Sequence, residues 1–433
     1  MTAFRRATAA AILAATLAPG LAFGAGFSIY EQGAAVLGMA GAGTASVDDA
    51  SAVFYNAAAI VRLPGRQLSL GGTWLYTQTS FAGAGPSPGF GVTESMKPGN
   101  FFPPTAYWTS PLGKHWAYGL GVDSPFGLGV EWNNPDRFTG NFYVTKAELR
   151  TINTNASLSW APSKGFSVGG GVDVLFASVE LDNIAPSTTP LPGGGGAVVA
   201  ARAQLKSNYV PACGFNLGVL WQPQPVWKLA ATFRGRVHPK IDDADATFAV
   251  EPTGNASIDA AAAAGLPPSQ HVSTIIAMPA MLSLGAAWNP APSWTWELDF
   301  NQTYWSFFSQ LPLTFDKTQS LDEVLDEGYR DSWRLSVGAS HRVARTTYRF
   351  GYYYDAAAAP DQSVTPLLPD ANRHGATLGL GWRLGSRQQW GIDLYNLALF
   401  VEDRSTNGQS RIDYDGIYKS YVNAAGANLA YHW

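Results

Sequence analysis

Hydrophobic residues make up 46% of this 433-residue chain, yet past the extreme N-terminus they never form a run of about 18, the least a helical membrane span needs. They are spread out by alternation. In residues 332–342, Trp333, Leu335, Val337 and Ala339 alternate with Arg334, Ser336, Gly338, Ser340 and Arg342. In 294–301, Trp294, Trp296, Leu298 and Phe300 alternate with Thr295, Glu297, Asp299 and Asn301. The same rhythm runs through 166–176, 280–288, 348–354 and 376–383. A period of two gives each segment one apolar face and one polar or glycine face, the pattern of a β-strand between two unlike environments. The 46 glycines and 28 prolines argue against long helices.

The connections narrow the fold further. Fourteen candidate strands lie near 67–81, 102–110, 115–124, 148–161, 165–183, 201–222, 226–242, 277–289, 293–305, 330–343, 346–356, 373–384, 389–402 and 411–433. Tight links (111–113, 162–164, 223–225, 290–292, 344–345 and 385–387) alternate with long ones (82–101, 125–147, 184–200, 243–276, 306–329, 357–372 and 403–410). A soluble sandwich has no reason to put every long loop at one end. Short periplasmic turns opposite long external loops, with an even strand count, describe an outer-membrane barrel. Lipid would force that barrel to close, since an open sheet edge leaves backbone groups unpaired in hydrocarbon. The sequence therefore predicts an all-β, 14-stranded antiparallel transmembrane β-barrel over residues 67–433, ending on the aromatic strand Leu429-x-Tyr431-x-Trp433.

Ahead of the barrel lie two other segments. Arg5 and Arg6, the apolar stretch 7–18 and the small residues Ala22 and Gly24 have the three parts of a secretory signal peptide, expected over residues 1–24. Its removal leaves 26 basic against 32 acidic residues. Residues 25–66 lack the strand rhythm and are rich in Gly and Ala. Their Gly38-x-x-Gly41-x-Gly43 has no preceding strand to make it a nucleotide site. About 40 compact residues in this place are expected to fold inside the lumen as a hatch, without which a barrel this size would leak.

The hatch segment and four further motifs, in order, then carry a resemblance. Ala25-Gly26-Phe27, Asp48-Asp49-Ala50-Ser51 and Phe54-Tyr55-Asn56-Ala57-Ala58 resemble the hatch of the outer-membrane family that transports long-chain fatty acids and aromatic hydrocarbons. Asp123-Ser124-Pro125-Phe126-Gly127-Leu128 is similar to that family's third-strand motif. Asp331 to Leu335, Phe350 to Asp355 and Leu368 to Arg373 are similar to its C-terminal strands and loop. The likeness covers essentially the whole mature chain. One departure is Asn56-Ala57-Ala58 where the family's hatch has Asn-Pro-Ala; losing that proline leaves the turn less rigid. The resemblance implies passive uptake of a hydrophobic molecule, a hatch gate, and a kinked third strand that opens the wall toward lipid.

Pro125 supports such a kink on its own chemistry. It cannot donate to a ladder, so it either ends the strand at a long loop or interrupts one that continues. Ser124, Pro125, Phe126 and Gly127 are the expected gate residues, and Phe27, Ile29, Asn56, Ala57 and Ala58 those of the hatch. Phe126, Leu128, Trp132, Phe138, Phe142 and Tyr143 are candidates for an apolar capture surface on the loops. Arg334 and Arg349 fall in the lumen phase, where they either solvate the interior and pair with carboxylates or meet a ligand carboxylate.

Other chemistries find little support. Gly-x-Ser-x-Gly occurs around Ser87 and Ser167, but a nucleophile elbow needs a strand-to-helix turn, and these serines sit between prolines and within an alternating strand. The six histidines are scattered without ligand spacing and Cys213 is the sole cysteine, so no metal site or cofactor is expected. A formal charge of −4 leaves no footprint for nucleic acid. The expected partners are a hydrophobic small molecule and outer-membrane lipid, with the protein a monomer. A general diffusion porin is the main alternative function and an outer-membrane lipid hydrolase the enzymatic one.

Overall fold

The computed structural model describes residues 26–190, 196–252 and 254–433; the signal-peptide reading for residues 1–24 lies outside them. Fourteen strands among the described residues form the wall: β1 Gln67–Gly83, β2 Pro104–Pro111, β3 Trp116–Asp123, β4 Lys146–Ser163, β5 Phe166–Pro190, β6 Val210–Gln224, β7 Trp227–Arg234, β8 Met281–Ala291, β9 Trp294–Thr303, β10 Ser332–Val343, β11 Thr346–Asp355, β12 Arg373–Leu384, β13 Trp390–Val401 and β14 Gly416–His432. Each pairs antiparallel with the next. β14 returns to β1 through 17 consecutive pairs, from Gln67↔His432 to Gly83↔Gly416, so the sheet closes on itself.

The alternation sets which side chains face out. Leu298, Leu335, Val337, Leu378 and Leu394 are exposed on the outer face, while their neighbours Glu297, Asp299, Arg334, Ser336 and Thr377 are buried within. An apolar row meeting lipid and a polar row meeting the interior are what such a barrel requires. At the tight-turn end, aromatic pairs form an interfacial girdle: Trp116 and Trp160 at 5.7 Å, Trp227 and Trp288 at 6.1 Å, Trp108 and Trp433 at 5.1 Å.

The other end is more ordered than the loop lengths suggest. Within the stretch expected as a loop, residues 184–190 continue the ladder of β5 outward against Gly196–Lys206, pairing from Glu180↔Lys206 to Pro190↔Gly196. The strand expected at 201–222 is split before Val210, and the one at 226–242 is split into β7 and Lys240–Val250. Lys240–Val250 pairs with Gly196–Lys206 and with Gln270–Ile275, so a sheet stands beyond the barrel rim. Alternation continues across the rim because pairing does not stop where lipid does, so the pattern alone cannot locate the end of the span.

Residues 26–66 contact inward-facing groups on strands all around the wall. The segment holds two short helices, α1 Ala34–Leu37 and α2 Ala52–Tyr55, and a 3-10 turn, Ala57–Arg62. Cross-strand glycines give it room. A methyl group at Gly169 or Gly218, which are paired on β5 and β6, would lie within 2.4 Å of Ala57 or 2.3 Å of Asn56. At the paired Gly338 and Gly351 it would strike Met39 at 2.4 and 2.5 Å. Carboxylates on β9 hold the same segment: Asp299 Oδ2 accepts from Gly43 N (3.0 Å), Thr44 N (2.9 Å) and Thr44 Oγ1 (2.6 Å), and Glu297 Oε1 accepts from Ala45 N (2.6 Å).

The Asn56 turn is well anchored without the proline. Asn56 Oδ1 accepts from Ala58 N at 3.0 Å and Nδ2 donates to Thr44 O at 2.8 Å, with the residue almost fully buried. Ala57 occupies the first position of the 3-10 turn, where a proline's missing N–H costs nothing. The side-chain cap and the glycine bed do the restraining that a ring would do elsewhere.

Candidate functional site

One interstrand seam of the wall is incomplete. β2 and β3 pair over six positions, ending at Ala106↔Val122. Their next link is a lone bridge, Met96↔Trp132. Between these points β3 stops at Asp123 and resumes as Gly127–Glu131, paired to β4 alone. Asp123 faces Asn153 and Gly127 faces Arg150, so three residues of the third strand oppose two of β4. Pro125 sits in the middle of this bulge, where its lack of an N–H is tolerated. Of the two readings of Pro125, the interruption of a continuing strand is the one observed.

The freed backbone groups nevertheless have partners. Thr151 Oγ1 on β4 donates to Phe126 O at 2.5 Å and accepts from Phe126 N at 3.2 Å. On the open side the N-terminal segment takes the place of the missing strand. Ile29 N donates to Pro125 O (2.8 Å) and Gly127 N donates to Phe27 O (3.0 Å), framing an antiparallel bridge between Ser28 and Phe126. Phe27 then inserts into an aromatic group formed by Trp305 (4.6 Å), Phe308 (5.2 Å) and Phe126 (6.2 Å). Edge-on contacts of this kind add to the apolar burial.

Behind the seam lies a cavity of about 550 Å³. Its apolar wall includes Phe27, Ile29, Met96, Phe126, Leu128, Leu397 and Leu399. Phe101, Phe102, Pro103 and Ile152 line it where it reaches the outer face. Its inner end is polar, with Glu31, Arg334, Asp355, Asp370 and Arg373. Arg334 is buried, donates to Ala40 O at 2.7 Å, and lies against the rings of Tyr353 (3.6 Å) and Tyr30 (4.7 Å). Arg373 donates to Asp370 and to Gly26 O, both at 3.4 Å. Past Tyr30 and Arg334 the next space is only about 60 Å³.

The expected site residues divide accordingly. Ser124, Phe126, Gly127, Phe27, Ile29, Leu128 and Arg334 meet around the cavity. Arg349 is elsewhere, in an ion pair with Asp393 at 2.7 Å with both side chains about one-tenth exposed, so its charge is already matched. Trp132 and Phe138 do not form an open capture surface. Their rings stack at 4.1 Å and are buried, and Trp132 Nε1 donates to Pro366 O at 3.1 Å. The long loops pack on one another, so large aromatics in them become core. Tyr143 packs against the same cluster and Phe142 remains exposed.

Ser167 Oγ donates to Ala58 O at 2.8 Å from the first residues of β5, a strand with no helix directly after it among the described residues, and Ser87 lies in an exposed turn, so neither forms a nucleophile elbow. Glu31, Asp355, Asp370 and Arg373 were not singled out as site residues. Asp370 and Arg373 lie in one recognisable motif, Leu368 to Arg373, and Asp355 ends another, Phe350 to Asp355, which was their signal; Glu31 joins them only through the fold.

Comparison with known proteins agrees with this geometry. The sequence pattern of the family described as outer membrane protein transport protein (OMPP1/FadL/TodX) matches residues 15–432. A long-chain fatty acid transport protein of Escherichia coli O6:H1 is 26% identical over 389 residues, covering 83% of each chain. Outer membrane protein P1 of Haemophilus influenzae is 25% identical over 405 residues, covering 85% of this chain and 84% of the relative. The structure of a Pseudomonas aeruginosa FadL homologue superimposes with a TM-score of 0.81 at 21% identity, over 94% of this chain and all of the other. That of the Pseudomonas putida toluene transporter TodX gives 0.74 at 19% identity, over 94% and 99%.

Proposed function

Because the chain belongs to this family of outer-membrane transport proteins, we propose that it takes up long-chain fatty acids or related hydrocarbons passively, releasing them sideways through the interrupted third strand. The observation that carries this reading is the cavity, which runs from Arg334 and Arg373 to the outer face at the break and is covered there by Phe27–Ile29. A 16-carbon chain gains roughly 12 kcal/mol on leaving water, at ~0.8 kcal/mol per CH₂. Entering lipid is therefore not its obstacle; crossing the polar saccharide layer is. A sideways exit into the bilayer never returns the chain to water, whereas the narrow space beyond Arg334 favours no path straight through.

In this reading residues 1–24 are a signal peptide, 25–66 a hatch and 67–433 the barrel. Ser124, Pro125, Phe126 and Gly127 form the gate, Phe27 and Ile29 cover it, and Asn56, Ala57 and Ala58 anchor the part that stays. Leu128 and Phe142 remain candidates for contact with incoming substrate. The protein works as a monomer in outer-membrane lipid, without cofactor, catalysis or nucleic acid. A general porin reading suits the packed interior poorly, because a water-filled pore needs an open lumen.

The test exploits the Ser28↔Phe126 bridge. It is a non-hydrogen-bonded antiparallel pair, with Cα atoms about 4.5 Å apart, within disulfide range. Ser28→Cys with Phe126→Cys, in a Cys213→Ser background, is expected to abolish uptake when oxidised and to restore it on reduction. Uptake that continues through the oxidised protein would refute hatch gating.

A further inference from the structure

We infer that Gln32 is the fixed pivot of this gate, the residue at which a movable N-terminal cover, residues 26–31, joins an anchored body. The inference rests on the lateral-gate reading and adds a positioning residue to it.

Gln32 is completely buried. Its side-chain amide is used fully and without a water. Nε2 donates to Ser124 O at 2.8 Å and to Ile29 O at 3.0 Å, and Oε1 accepts from Ser124 N at 3.2 Å. The amide thus satisfies both backbone groups of a single residue, as a neighbouring strand would. That residue is Ser124, the first position past the end of β3, where β2 no longer reaches. The backbone of Gln32 is held as well, with its carbonyl accepting from Tyr107 Oη on β2 at 3.0 Å. One residue therefore ties together β2, the broken end of β3 and the cover strand at Ile29.

What lies on either side of it differs in kind. Downstream, Gly38 and Met39, just past α1, bed on the wall glycines Gly379, Gly338 and Gly351, and residues 43–45 are clamped by Asp299 and Glu297. Upstream, residues 26–31 are held by two ladder bonds, the Phe27 aromatic contacts, Tyr30 Oη to Thr303 Oγ1 at 2.8 Å, Arg334 over the Tyr30 ring, and single hydrogen bonds to the carbonyls of Gly26, Tyr30 and Glu31 from Arg373, Tyr55 and Thr73. An apolar chain arriving in the cavity can replace the contacts of the Phe27 ring, and the hydrogen bonds upstream are scattered single ones rather than a clamp. The Gln32 side chain does not itself line the cavity, though Ser124 and Ile29, whose backbone groups it holds, do; an acyl chain has no donor or acceptor with which to take its place there. The cover can then leave the gap and return to the same register, because its point of attachment has not moved.

Gln32→Met preserves volume and removes all three side-chain hydrogen bonds. Measured as initial uptake of hexadecanoic acid into cells with matched amounts of folded barrel, it is expected to raise the rate about tenfold, the scale of a net loss of one or two hydrogen bonds in the closed state. Gln32→Glu supplies a readout that general loosening would not. A protonated carboxyl can donate to one of the two carbonyls and accept from Ser124 N, whereas a carboxylate faces the carbonyls of Ser124 and Ile29 with no donor. A buried Glu titrates above its usual value of about 4.3, so its uptake, taken as a ratio to wild type at the same pH, should be several-fold higher at pH 8 than at pH 5. Glu31, Tyr30, Tyr55, Tyr107 and Asp123 surround the position in both proteins, and the ratio cancels their own titration. Unchanged uptake in Gln32→Met, or a flat Gln32→Glu ratio in a barrel that folds, overturns the pivot. If the Ser28–Phe126 disulfide still blocks transport in that event, the gate stands and only the role of Gln32 falls; if the disulfide does not block it, the gate itself has failed.

Discussion

Two interstrand seams of the barrel solve the same problem differently. Where β14 meets β1, 17 consecutive residue pairs close the wall with its own backbone. Where β2 meets β3, six pairs do so and the rest is completed by an amide side chain and a three-residue piece of another segment. At the second, the backbone of residues 124–127 keeps its partners across the break, as hydrocarbon demands. The difference is in what must be broken to open them. The first opens only by unfolding the barrel. The second opens by moving a short strand whose loss leaves every other strand paired. A barrel wall can therefore contain a door provided the door's edges are satisfied by something that can leave.

The sharpest way to break this contrast is to make the two seams alike. Deleting Pro125 leaves two residues opposite the two of β4 and allows the third strand to run on in constant register. Uptake is expected to fall to the level of cells lacking the protein, while the barrel folds and keeps its heat-resistant mobility on gels. Normal uptake by the folded deletion would mean that the interruption is not the exit.

A smaller effect should come from the interior, behind both seams. Asp299→Ala leaves Gly43 N, Thr44 N and Thr44 Oγ1 without their acceptor, at about 1–3 kcal/mol per buried donor before any local relaxation. The continuous seam should hold, so barrel unfolding changes little. The segment should loosen instead, seen as a rise in small-ion conductance in planar bilayers. Conductance equal to wild type would show that the glycine bed holds the segment without the clamp.

The mildest effect is a matter of pH, on the external loop above the interrupted seam. Burial pushes the Glu327 carboxyl up to about 7, with Asp326 adding to the rise and Arg411 opposing it. The folded loop therefore binds more protons than the unfolded chain between the usual carboxyl range and about pH 7, so its stability falls as pH rises through that window. Tyr329 in this loop touches Trp305 and Phe308, which surround Phe27. Backbone hydrogen exchange over residues 306–331 should be faster at pH 8 than at pH 5, after correction for intrinsic rates, and Glu327→Gln should remove the difference. The seam between β14 and β1 should show no such dependence.

Much of this was readable in the chain. The alternation of residues such as Trp333, Leu335 and Val337 with Arg334 and Ser336 marks a wall between lipid and a polar interior, and the tight turns mark one end of it. Pro125 marks the interruption, since a residue without an N–H inside an alternating run has few places to go. The site itself was only half legible. Gln32 sits in a small-residue stretch with no periodicity, and its partner is 92 positions away. Glu297 and Asp299 show only as lumen-phase polar residues, because what they grip is decided by how another segment lies. Trp132 and Phe138 misled for a related reason: an aromatic in a long loop reads as exposed until the loops are seen to bury one another.

The paired glycines of the inner wall have a consequence for how such proteins can be recombined. Gly169 with Gly218, and Gly338 with Gly351, are hollows shaped to Asn56–Ala57 and to Met39. A mould of that kind fits one casting. Segment and barrel are therefore not exchangeable parts, and a chimera joining this wall to the first 66 residues of a relative would need its inner face recut before it could close.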